Sequence, residues 1–134
     1  MSTGSPPAPT SNKMLWAGRI LSGLVAAMIV MSGVMKLAMT PSQTDLEHIG
    51  WSAGIVATLA ILEFGSALLY AIPQTALLGA ILLTGYLGGA CATHVRIGEY
   101  GFGLVPVFLG VLAWLGLFLR DARLRELVPI RKLK

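Results

Sequence analysis

Polar and apolar positions along this chain neither alternate nor fall into stripes. They separate into four long apolar stretches with short polar segments between them. A soluble helix shows an apolar stripe of period 3.6 and a half-buried strand alternates, so continuous apolar runs of this length point to lipid on the outside. The pattern predicts helices over residues 14–39, 51–72, 75–94 and 102–119. The third is the clearest: Thr75 to Thr93 holds nineteen residues without a charge, or roughly 28 Å at helical rise, close to the thickness of a bilayer's hydrocarbon core. Pro73 stands just ahead of it, where a helix start tolerates a missing N–H. Within the run Gly85 and Gly89 form a GxxxG, and Gly88 with Ala92 repeats the small-xxx-small spacing, a face on which another helix can lie close. Gly110, Ala113 and Gly116 give the fourth helix similar positions, and Pro106 falls in its first turns.

The segments between and beyond the runs complete an all-α, integral membrane four-helix bundle spanning residues 14–120. Residues 1–13 read as a disordered tail of Ser, Thr, Pro and Gly. The first apolar run is too long for a signal peptide and is expected to span. Thr40 to Gly50 reads as a loop with at most one amphipathic turn. Residues 121–134 form a basic interfacial tail, with Leu124, Leu127 and Val128 among arginines and lysines. Four spans place both ends on one side. That side carries Lys13, Arg19, Arg120, Arg123, Arg125, Arg131, Lys132 and Lys134, against Lys36 and Arg96 on the other, so both termini are expected in the cytoplasm. Trp16 and Tyr70 would then lie at the inner interface and Trp51 and Tyr100 at the outer one.

Composition and spacing add four exclusions. Of 134 residues 55% are hydrophobic and 12% charged, and the mean hydropathy is +0.77, too apolar for a soluble domain of this size. The net charge of +4 sits on membrane flanks rather than in a patterned patch, which argues against nucleic acid. A single cysteine, Cys91, removes disulfide, dithiol-relay and cysteine-metal chemistry within one chain, and is expected to be a small packing residue. His48 and His94 lack the spacing of a metal pair, so no metal is expected.

Candidate chemistry resides in a few ionisable groups. Glu63 falls inside the second apolar run near the expected midplane, where a lone carboxylate must protonate or find a partner. Lys36, on a flexible stem, can descend to it directly or through water. Thr84 and Tyr86 stand near the middle of the third run and could extend a polar network, while His94 and Arg96 close its outer end. Two readings of this constellation are open. Lys36, His94 and Arg96 could attract an anion or a quinone oxygen while Glu63 handles a proton, or the groups could simply tie three helices together.

The run EFGSALLYAIPQTALLGAILLTGYLGGACATHVR, Glu63 to Arg96, resembles the DoxX-like family of small bacterial membrane proteins, and SGVMKL, Ser32 to Leu37, looks like that family's first-helix motif. Together they cover roughly the membrane region. Gln74 departs from the pattern, standing where a basic residue often follows the IP pair. The family takes its name from the small subunit of an archaeal thiosulfate:quinone oxidoreductase. The resemblance therefore implies a multi-pass protein of the bacterial inner membrane that serves as an accessory or quinone-interacting subunit. Its redox partner, in the membrane or peripheral to it, would supply the flavin, thiolate or metal chemistry. No intrinsic cofactor is expected, and whether the chain is an enzyme stays open. The alternatives are a structural anchor or assembly partner working through the glycine face, and a small carrier acting as a homo-oligomer.

Overall fold

The computed structural model describes residues 11–39 and 41–127. Most of the expected N-terminal tail, Thr40, and Val128, Arg131, Lys132 and Lys134 of the basic C-terminal tail lie outside the described residues. The fold is all-α, in the order α1 (Asn12–Ala38), α2 (Gln43–Ile49), α3 (Ile55–Ala71), α4 (Ala76–Arg96), α5 (Tyr100–Arg120) and α6 (Ala122–Leu127).

Local chemistry sets the boundaries. Ser11 caps α1 by accepting the Met14 N–H, and Ser42 caps α2 by accepting the Asp45 N–H. The expected loop between the first two spans thus contains a short helix. It ends at Gly50, whose φ of 76° is left-handed, and the Trp51 N–H turns back to the Leu46 carbonyl at 2.8 Å. That closure corrects the predicted start of the second span: Trp51 finishes α2, Ser52–Gly54 make a turn, and the helix begins at Ile55. Gly98, φ 82°, ends α4 in the same way, with the Glu99 N–H donating to the His94 carbonyl at 2.9 Å.

The helices α1, α4 and α5 are each long and apolar enough to cross a membrane, and α3, with 17 residues, is apolar but shorter. They close into a ring: α1 packs on α3 and α5, and α4 packs on the same two, so α1 faces α4 across the centre. Small residues fill much of the interior, with Ala67, Ala76, Ala80 and Ala113 beside Val25, Ile29, Leu83 and Leu117. Large apolar side chains such as Leu24, Ile61, Leu68, Phe102 and Phe108 point outward. Only 22–28% of the most apolar stretch of each long helix is buried. That inversion suits a solvent of lipid tails, which rewards close packing rather than apolar burial.

Close packing falls on Gly116, as expected, and on Gly18 and Gly79 rather than on the glycines of the third run. A Cβ on Gly79 would collide with the Tyr70 backbone nitrogen, one on Gly116 would sit 2.7 Å from Ser22 Oγ, and one on Gly18 2.7 Å from the Arg120 nitrogen. Around Gly85, Gly88 and Gly89 a Cβ would meet nothing within 4 Å, and Ala92 is exposed. Within the chain the expected helix-packing face is therefore open. Gly79→Ala should destabilise the fold by about 3 kcal/mol, because backbone rather than a flexible side chain must yield, whereas Gly85→Ala should be neutral or stabilise by up to about 1 kcal/mol. Thermal unfolding of the two variants in one detergent checks the contrast.

Candidate functional site

Glu63 is the ninth of the seventeen residues of α3, so about 12 Å of helix extends on either side of it. It is 1% exposed. Such a carboxylate needs donors, and three converge on its Oε1. Lys36 Nζ donates at 2.8 Å, Ser32 Oγ at 2.9 Å and Tyr86 OH at 2.7 Å. Ser32 and Lys36 lie one turn apart on α1 and meet on one face, where Lys36 Nζ also reaches Ser32 Oγ at 2.8 Å. Gly33 makes room, since a Cβ there would stand 2.7 Å from the Phe64 ring and 3.2 Å from Glu63 Oε2. Oε2 itself is buried and has no hydrogen-bond partner. One carboxylate thus joins α1, α3 and α4. The Lys36–Glu63 contact is a direct ion pair, with Lys36 28% exposed at its outer edge.

The network opens onto a cavity of about 800 Å³ between α3 and α4. Gly65, Gly85 and Gly89 form part of its wall, so the GxxxG opens a hollow where sequence predicts a helix contact. Lys36 and Tyr86 stand on one part of the lining and Thr93 and His94 on another. Eight residues of α4, about 12 Å, separate Tyr86 from His94.

The structure divides the remaining predicted residues. Thr84 turns away from Glu63: its Oγ1 donates to the Ala80 carbonyl at 2.7 Å and accepts Trp114 Nε1–H at 2.7 Å. His94 and Arg96 do not reach the Glu63 network either. His94 Nδ1 pairs with Glu99 Oε2 at 2.9 Å, His48 Nε2 lies 3.6 Å from Glu99 Oε1, and Arg96 donates to the Ile49 carbonyl. These contacts pin α2 over the junction of α4 and α5. Cys91 is half-buried and lines a separate hollow between α4 and α5, with Pro106. Among the described residues no group of three His, Cys, Asp or Glu is placed to hold a metal.

A second polar tie was not anticipated. Tyr70, expected at the inner interface, is 0% exposed. Its OH donates to the Ala113 carbonyl at 2.6 Å, its phenol oxygen pairs with the Ser22 hydroxyl at 3.1 Å, and its own carbonyl accepts from Arg120 at 2.6 Å. The Arg120 guanidinium lies 4.9 Å from the Tyr70 ring centre. Gly116 and Ser22 at the same level supply the space and the partner. A serine and a glycine inside apolar runs were the available signals.

An all-α chain with an apolar exterior, several membrane-length helices and its ionic group turned inward is a multi-pass membrane protein. It belongs to the DoxX-like family, whose family model matches residues 20–116. Comparison with curated proteins and with solved structures gives no match.

The exposures of the ion pair predict an asymmetry. Lys36→Met strands a carboxylate that is 1% exposed and should cost about 3 kcal/mol. Glu63→Gln should cost about 1 kcal/mol, since Lys36 already reaches the edge of the fold and can turn outward. The double variant should return to within about 1 kcal/mol of the parent. Thermal melts of the four proteins measure the coupling directly, and independent losses that simply add would remove the pair from the account.

Proposed function

We propose that this protein is a four-helix membrane bundle of the bacterial inner membrane, with both termini cytoplasmic, acting as a quinone-interacting accessory subunit without catalysis of its own. The observation that carries the reading is the cavity between α3 and α4, apolar over most of its lining and bearing Lys36 and Tyr86 of the Glu63 network. A flat ring fits against a wall made of Gly65, Gly85 and Gly89, where no side chain intervenes. The Lys36 ammonium is placed to donate to a carbonyl oxygen there. Glu63 holds the ammonium in position, and Tyr86 holds Glu63. A bound quinone would supply two-electron redox chemistry, with the electrons coming from a partner.

A second reading, an anchor or assembly partner, is supported by the same open glycines. A partner helix laid on Gly85 and Gly89 would fill the hollow, so the two readings compete for one surface.

Trp51 lines the cavity and serves as the reporter. A short-chain ubiquinone added to the protein in detergent should quench fluorescence saturably, with the signal lost in Trp51→Phe. Gly85→Leu should weaken binding tenfold or more while leaving the melting temperature within a few degrees, because the added side chain enters open space. Unsaturable quenching, or full binding by Gly85→Leu, would leave the anchor as the better reading. For the topology, a cysteine at Tyr100, which is exposed, in a Cys91→Ala background should react with an impermeant thiol reagent in intact spheroplasts. Protection of that cysteine until lysis would invert the orientation.

A further inference from the structure

The end of the fold opposite α2 carries a cavity the quinone reading does not use. It measures about 360 Å³, lies where α1, the α3–α4 turn and the end of α5 meet, and is lined by Leu15, Arg19, Gln74, Arg120, Asp121 and Arg123 among others. Three guanidinium groups therefore stand around it with one carboxylate. That carboxylate is engaged, since Asp121 Oδ1 accepts the Arg123 backbone N–H at 2.9 Å. Among the described residues none of the three arginines makes an ion pair. Arg19 rests on the Trp16 ring at 5.5 Å, and Arg120 is held by the Tyr70 carbonyl and ring. Arg120 Nε is buried yet has no hydrogen-bond partner, and an unsatisfied donor on a charged group is costly.

The turn adds to the imbalance. Thr75, at the start of α4, gives its hydroxyl to the Leu69 carbonyl at 2.8 Å and leaves the helix without a side-chain cap. Ala76, the first residue of α4, lines the cavity. The walls are mixed: Leu15 and Leu117 are apolar, whereas Gln74 and the arginines are polar. A site with excess positive charge, forked donors and an apolar rim matches one chemistry. We propose that this cavity binds a phosphate group at the membrane boundary, presented either by an anionic phospholipid or by a soluble phosphate. Planar guanidinium groups pair with phosphate oxygens two at a time, and a hydrophobic rim accommodates the glycerol and first methylenes of a lipid.

The test uses the full-length protein in a neutral detergent, with native mass spectrometry for bound lipid and thermal melts for stabilisation. The probes are dihexanoyl-phosphatidylglycerol, dihexanoyl-phosphatidylcholine and inorganic phosphate at matched ionic strength. Arg120 helps to hold Tyr70, so its replacement would confound folding with binding; Arg19→Gln/Arg123→Gln changes two exposed side chains instead. The expected result is a retained phosphatidylglycerol adduct at least tenfold more abundant than the phosphatidylcholine adduct, lost in the double variant while its unliganded melt is unchanged. Should inorganic phosphate stabilise the parent to the same degree, with the same dependence on the two arginines, the ligand is the soluble anion. No stabilisation by either anionic probe, equal retention of the two lipids, or an adduct that survives in the double variant overturns the proposal.

Discussion

A carboxylate in the middle of an apolar helix cannot be left alone, and the arrangement of α1, α3 and α4 follows from that constraint. Lipid tails offer no hydrogen bonds, so the donors come from neighbouring helices, and each donor fixes the rotation and height of the helix that brings it. Ser32 and Lys36 set α1, and Tyr86 sets α4. Apolar contacts alone would tolerate sliding, because lipid tails and leucine side chains are nearly equivalent surroundings. The ion pair is thus better understood as a device for register than as a source of net stability, since desolvating two charges offsets much of their attraction.

The Tyr70 tie does for α5 what Glu63 does for α4. Seven residues, about 10 Å of helix, separate the two on α3. At the Tyr70 level the bonds run to α1 and α5, so α3 is clamped at two heights by different neighbours. Gly116 leaves room for the Tyr70 hydroxyl and Ser22 to meet, and Gly79 lets α4 approach the Tyr70 main chain. Polar ties and small residues work together here: the first select a register and the second permit the distance.

Much of this was legible in the chain. Continuous apolar runs announced membrane helices, and a carboxylate stranded in one of them announced a partner, which Lys36 and Tyr86 supply. What stayed hidden depends on rotation and on local closure. Thr84 and Tyr86 are two residues apart, about 200° around the helix, so one faces Trp114 and α5 while the other faces Glu63. His94 and Arg96 lie beyond the network because loop partners, Glu99 and the Ile49 carbonyl, are nearer. The start of α3 was obscured because Trp51 continues an apolar run in sequence while its N–H completes the preceding helix. Small-xxx-small spacing marks a bare face, and spacing alone does not say whether a helix covers it or a hollow remains.

The bonding of Glu63 is lopsided, and that has a consequence for how the helices move. Among the described residues all three donors converge on Oε1, and Oε2, equally buried, has none. Ser32, Lys36 and Tyr86 therefore share a single acceptor atom, and a displacement of that atom stretches all three bonds at once. At this level α1 and α4 are not tied to α3 by separate links that could fail in turn. They hang on one pin, and a rotation of α3 that carries the pin away releases both neighbours together.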